Sequence, residues 1–124
     1  MARTILTMLT LLFLSNVAIA DDNLAKGEQI FKKCMGCHTN ADKTNKVGPS
    51  LLGVVGRKVA IVEGYSYSDS MKAYAATGAV WNEATLNTYL ENPKAVVANT
   101  KMAFAGIKAE EDRKALIEYL KSKN

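Results

Sequence analysis

The chain has 124 residues, enough for one domain and too few for two, and its 48% hydrophobic and 23% charged residues describe a globular rather than a disordered polypeptide. The 16 Lys and Arg against 12 Asp and Glu leave a formal charge of +4. That excess alone would admit a nucleic-acid partner, but no basic run is longer than Lys32-Lys33.

The first element is a leader. From Ile5 to Ala20 the chain is almost wholly apolar, with Arg3 before it and Ala18-Ile19-Ala20 closing it ahead of Asp21 and Asp22. A basic start, a short apolar stretch and a small-x-small end read as a cleavable secretory signal over residues 1–20. A membrane anchor is disfavoured because the run falls short of the ~20 residues of a spanning helix, and Thr7, Thr10, Ser15 and Asn16 dilute it. The mature protein is expected to be one domain over residues 21–124, exported from the cytoplasm, which also argues against nucleic acid. A domain of this size buries a thin core and often depends on a disulfide, a metal or a cofactor.

Asn23 to Lys33 is expected to be helical, with Leu24, Ile30 and Phe31 on one face and Asp22 or Asn23 as N-cap. Thr39 to Gly64 reads as loop, because Gly48-Pro49, Gly53, Gly56 and Gly64 punctuate it; short strands are conceivable at Val54-Val55 and Val59–Val62. A short helix follows over Ser68–Tyr74. Another spans Asn82–Glu91, stopped by Asn92-Pro93, with Leu86, Tyr89 and Leu90 inward. Lys94–Gly106 is loop. The last helix covers Ala109–Lys121, with Glu110 and Glu111 at its start and Lys121 at its end to suit the helix dipole. Leu116, Tyr119 and Leu120 form its apolar stripe. The class is therefore all-α, with more loop than so small a core supports alone. Something besides side chains is expected to fill its centre.

Cys34-Met35-Gly36-Cys37-His38 supplies the candidate. C-x-x-C-H reads as covalent attachment of a c-type haem. Two thiols at fixed spacing add across the two vinyl groups of one porphyrin, and the adjoining histidine is placed beneath the iron. A thioredoxin-type redox pair would sit in a strand-then-helix setting that this chain lacks. A zinc site would need four ligands, and His38 is the only histidine. A plain disulfide leaves His38 unexplained. With no second histidine, the iron's other face is either open or held by a different group, and methionine is the usual soft partner. Beyond the leader the methionines are Met35, Met71 and Met102. Met35 lies between the cysteines on the wrong side, Met71 reads as helix packing, and spacing favours Met102 in its extended loop.

At these residues the sequence resembles class I cytochrome c, the group of mitochondrial cytochrome c and bacterial cytochrome c2. The likeness covers the whole mature chain and is most specific over Trp81-Asn82-Glu83, Tyr89-Leu90-Glu91-Asn92-Pro93-Lys94, Thr100-Lys101-Met102 and Phe104-Ala105-Gly106-Ile107-Lys108. It implies short helices and loops wrapped around one covalent haem, with the terminal helices crossing at Gly27, Phe31, Leu116 and Tyr119. It also implies His38 and Met102 as the axial iron ligands. Pro49 would accept the hydrogen bond of the ligand histidine. Gly56, Arg57, Tyr67 and Trp81 would hold the haem propionates, whose burial is costly unless they are hydrogen-bonded. Tyr89 and Thr100 would surround the methionine sulfur and the inner propionate.

Two departures stand out. Mitochondrial forms usually have Pro-Gly where this chain has Ala98-Asn99, but Asn tolerates left-handed backbone. Met71 stands where relatives often have a polar residue by an internal water, and the chain is slightly longer between Tyr67 and Trp81. With both axial positions filled there is no vacant site for substrate, so the resemblance implies a one-electron carrier of the periplasm rather than an enzyme. The main rival is a small haem peroxidase or ligand sensor with a labile sixth position, and a third reading is a dedicated acceptor for one periplasmic dehydrogenase. Lys33, Lys46, Lys94, Lys101 and Lys108 would ring the haem edge and steer acidic redox partners to it. By resemblance these are a quinol-oxidising cytochrome bc complex and a terminal oxidase or photosynthetic reaction centre. The implied carrier is a monomer with at most transient membrane-surface contact.

Overall fold

The computed structural model describes residues 15–124, so most of the expected leader, residues 1–14, lies outside the described residues. Five helices follow in order: α1 (Ser15–Phe31), α2 (Asp69–Ala76), α3 (Glu83–Glu91), α4 (Pro93–Val96) and α5 (Glu110–Lys121). The architecture is all-α, as the sequence implies. None of the described helices is long and apolar enough to cross a membrane.

Local chemistry sets the helix limits. Ser68 caps α2 by accepting from the Met71 amide at 3.1 Å, and Asn82 caps α3 by accepting from the Thr85 amide at 2.8 Å. Pro93 follows α3 and occupies the first turn of α4, where its missing N–H has no partner to lose. No side chain caps α5 at Ala109, but Glu110, Glu111 and Asp112 fill its first turn and Lys121 its last.

Three details differ from the sequence reading. In the full-length chain helix α1 extends upstream to Ser15 rather than beginning at Asn23, so Asp22 and Asn23 lie within it. No Gly or Pro between 15 and 22 interrupts it. The strands conceivable at Val54-Val55 and Val59–Val62 do not form, because positive φ at Gly53, Gly56 and Ala60 turns the chain repeatedly. What remains is one antiparallel bridge, Lys58 to Val80, with Val59 donating to Ala79 O and Trp81 to Arg57 O. The loop after Pro93 opens with the single turn of α4.

The terminal helices cross as expected. At Gly27 a Cβ would collide with the Ala115 carbonyl and the Tyr119 side chain of α5, so only glycine allows this approach. Phe31 and Tyr119 pack beside it with ring centroids 5.5 Å apart. Leu86, Tyr89 and Leu90 of α3 are buried against α5, whose Leu116, Ile117 and Leu120 complete the core. A buried guanidinium, which the sequence did not flag, joins these two helices. Arg113 donates to Asn87 Oδ1 at 2.8 Å and to the carbonyls of Ile107 and Lys108 at 2.9 Å. Three acceptors satisfy a charge that burial alone would not tolerate.

Gly27→Ala is expected to destabilise the protein by about 1–3 kcal/mol through overpacking between two backbones. Thermal unfolding of the haem-loaded protein checks it; an unchanged midpoint would mean that the helices separate freely.

Candidate functional site

Past α1 the chain continues through tight helical turns. The Cys34 carbonyl accepts from the Cys37 amide at 3.1 Å and from the His38 amide at 2.9 Å. On such a turn residues i, i+3 and i+4 share a face, so Cys34, Cys37 and His38 project together. All three line a cavity of about 380 Å³. The thiols are not bridged to each other. Burial pushes the Cys34 thiol above its ordinary pKa, with a smaller opposing pull from Lys33.

His38 is fixed by the loop beneath it. Its Nδ1 lies 2.7 Å from the Pro49 carbonyl, which can only accept, so Nδ1 carries the proton and Nε2 keeps its lone pair. Burial holds the imidazole pKa below its usual value, against the Pro49 bond that raises it. Neutral imidazole with a free Nε2 is the form that ligates a metal. The ring packs directly on Gly48, where any Cβ would overlap it. The Gly48 amide in turn donates to Cys37 O at 2.8 Å, and the Leu51 amide to Thr39 O at 2.7 Å.

The same cavity gathers Pro49, Arg57, Tyr67, Trp81, Tyr89, Thr100 and Met102. Arg57 spends Nη1 on the carbonyls of Ser50 (3.0 Å) and Leu52 (3.4 Å), while its buried Nε has no partner within the protein. Tyr67 turns its hydroxyl to accept from the Val62 amide at 3.1 Å. Trp81 and Tyr89 pack with centroids 4.8 Å apart and their planes tilted by 53°. Burial raises the Tyr89 phenol pKa, and a hydrogen bond with Thr100 counters it. Thr100 Oγ1 also accepts from the Met102 amide at 3.2 Å. Asn99 takes the left-handed conformation, φ 56°, so the turn survives the replacement of glycine.

Two expected residues of the lysine ring, Lys33 and Lys101, stand at this cavity. Lys46 reaches the Met35 carbonyl at 2.7 Å and Lys108 the Glu91 carbonyl at 2.9 Å, both from outside it. Lys94 is exposed on α4. The site residues expected from the sequence leave out the apolar wall of Leu51, Val54, Leu86, Leu90, Phe104 and Leu120. Helical periodicity marks Leu86, Leu90 and Leu120 as inward, but does not say what they face. Met71, read as packing, also lines the cavity, partly buried.

A haem fits this donor set. The thiols and imidazole share one turn and the thioether of Met102 lines the same cavity, so the soft and nitrogen ligands of an iron porphyrin are present together. The orphaned Arg57 Nε, partly buried beside Tyr67 and Trp81, is suited to a carboxylate such as a propionate.

The profile of the cytochrome c family matches residues 24–124. The chain is 50% identical to cytochrome c of Gibberella zeae over 83% of its own length and 96% of that protein's. It is 46% identical to cytochrome c-550 of Ancylobacter novellus, over 81% of its length and 94% of that protein's. Among solved structures it is similar to cytochrome cH from Methylobacterium extorquens, with a TM-score of 0.74 and 40% identity over 81% of this chain and 98% of that one.

Gly48→Ala is expected to push the imidazole off Pro49 and to cost about 1–3 kcal/mol. Nitrogen NMR of the chain's single histidine reads the loss of the Nδ1 hydrogen bond directly. A spectrum identical to that of the parent protein would show that the ring does not depend on this glycine.

Proposed function

The chain belongs to the cytochrome c family, and from that premise we propose that it is a mobile one-electron carrier of the periplasm whose haem iron is held by His38 and Met102. Members of this family carry one covalently attached haem and transfer electrons; they are not enzymes. When bound, the haem supplies a Fe(III)/Fe(II) couple that exchanges one electron.

The observation that carries the reading is the convergence of His38 and Met102 with Cys34 and Cys37 on one cavity. Cys34 and Cys37 tether the cofactor, so ligand binding by His38 is effectively intramolecular. Pro49 fixes the His38 tautomer and strengthens the ring as a ligand. Met102, on the same cavity, would hold the iron together with His38 and so leave no place for a substrate. A thioether opposite an imidazole also favours a high potential. Arg57, Tyr67 and Trp81 would hold the propionates, and Tyr89 and Thr100 would orient the methionine loop. The apolar wall of Leu51, Val54, Leu86, Leu90, Phe104 and Leu120 excludes water and keeps the reorganisation of the site small.

The basic start and apolar run of residues 1–20 support export with cleavage after Ala20, and a bacterial cytochrome c-550 among the relatives agrees with a periplasmic carrier. Lys33, Lys46, Lys94, Lys101 and Lys108 supply the docking face for acidic surfaces of a quinol-oxidising cytochrome bc complex and of an oxidase or reaction centre. Contacts of this kind are small and screened by salt, which permits rapid turnover as a monomer.

Met102→Ala is expected to abolish the methionine-to-iron charge-transfer band of the oxidised protein. Its midpoint potential should fall by on the order of 100 mV, within the roughly 0.8 V that axial ligands span. A band that survives Met102→Ala and disappears in Met71→Ala would reverse the ligand assignment. Electron transfer with an isolated cytochrome bc complex should slow about tenfold or more as salt is raised from low to physiological strength; a salt-independent rate would remove the lysine face from the account.

A further inference from the structure

The two walls of the cavity are fastened by different means. On the His38 side, backbone bonds from Gly48 and Leu51 lock the loop to the haem-attachment turn and to Thr39. On the Met102 side the loop is tied by backbone only at its far end, where Ile107 donates to Leu90 O at 2.7 Å; around the methionine the bonds are local, Met102 to Thr100 Oγ1 and Phe104 to Met102 O.

Around Met102 itself a side-chain belt takes the place of such backbone ties. Lys101 Nζ donates to Ser66 O at 3.2 Å. The segment holding Ser66 is secured from the opposite wall: Tyr65 donates its hydroxyl to Val47 O at 2.9 Å, and Asn45 Nδ2 donates to Glu63 O at 2.9 Å. Residues 62–67 are stiffened internally by the Val62–Tyr67 bond and by edge-on packing of Tyr65 and Tyr67, centroids 4.8 Å apart. Lys46 closes the belt on the attachment turn at Met35 O.

We propose that Asn45, Tyr65 and Lys101 are positioning residues that act through the segment Glu63–Tyr67 as a clasp, holding the Met102 loop over the cavity. The proposal rests on Met102 being the sixth ligand. Tyr65 lines the cavity beside that loop, but the hydrogen bonds of Tyr65 and Asn45 go to Val47 and Glu63 rather than to it; they immobilise the segment to which Lys101 is anchored. Loosening the clasp at Val47, on the histidine side, therefore loosens methionine on the other.

The test uses Lys101→Met and Tyr65→Phe in the haem-loaded protein, with Lys43→Met as a control because Lys43 is exposed and outside the belt. The first readout is amide hydrogen exchange of residues 98–103, which reports the loop whatever ligates the iron. The second is the rate at which the oxidised protein takes up imidazole, a neutral ligand indifferent to the altered charge. Each belt variant should speed both about three- to tenfold, the equivalent of one net hydrogen bond, with thermal midpoints close to the parent's and no effect in Lys43→Met. Unchanged exchange in Tyr65→Phe would overturn the clasp, as would equal changes in Lys43→Met. Faster exchange without faster imidazole uptake would retain the clasp and count against Met102 as ligand.

Discussion

The hydrogen bond from His38 Nδ1 to the Pro49 carbonyl is the contact on which the site depends. It sets the tautomer, so the lone pair resides on Nε2, and it aligns the ring between Gly48 and the cavity. Its acceptor is well placed: Pro49 lies in a loop outside the helices, so its carbonyl is not engaged by a helical amide. Glycine before it lets the ring lie flat on the backbone. The attachment turn and this loop hold each other, since Gly48 also bonds Cys37 O. The family's covalent haem thus meets a histidine that is already neutral, oriented and desolvated.

The rest of the fold exists to present a second wall opposite that ring. Helices α1 and α5 cross at Gly27 and form a rigid base, α3 lies on α5, and buried Arg113 ties the start of α5 to α3. From that base the chain sends out long loops whose polar backbone is satisfied by side chains as well as by other backbone groups. Asn45, Ser50, Arg57, Tyr65 and Lys101 each bond a distant main-chain group. Such loops suit a redox carrier. They enclose the cofactor without a large helical core, and the cofactor occupies the centre that a chain of this length would otherwise fill with side chains.

What could be read from the sequence was what depends on local spacing. The C-x-x-C-H pattern fixes three residues on one face whatever lies around them, and Ser68, Asn82 and Pro93 mark helix limits by their own backbone chemistry. Gly27 took the close-packing role that its missing side chain allows, and Asn99 the left-handed turn that its backbone tolerates. Long-range choices were not legible. Val54-Val55 and Val59–Val62 have strand-forming side chains, but glycines and the left-handed Ala60 deny them a partner beyond a single bridge. Arg113 looks like any helix-surface arginine until Asn87 and two carbonyls close around it. Met71 follows an ordinary helical pattern, and only the placement of α2 brings it to the cavity wall.

The central claim is that one iron lies between His38 and Met102. Proton NMR of the reduced, diamagnetic holoprotein tests it most directly, because a methyl held against the porphyrin face is shifted far upfield by the ring current. The account predicts a single methionine methyl in that region, assigned to Met102 through its sequential neighbours Lys101 and Ala103. A shifted methyl belonging to Met71, or no shifted methionine at all, would contradict it.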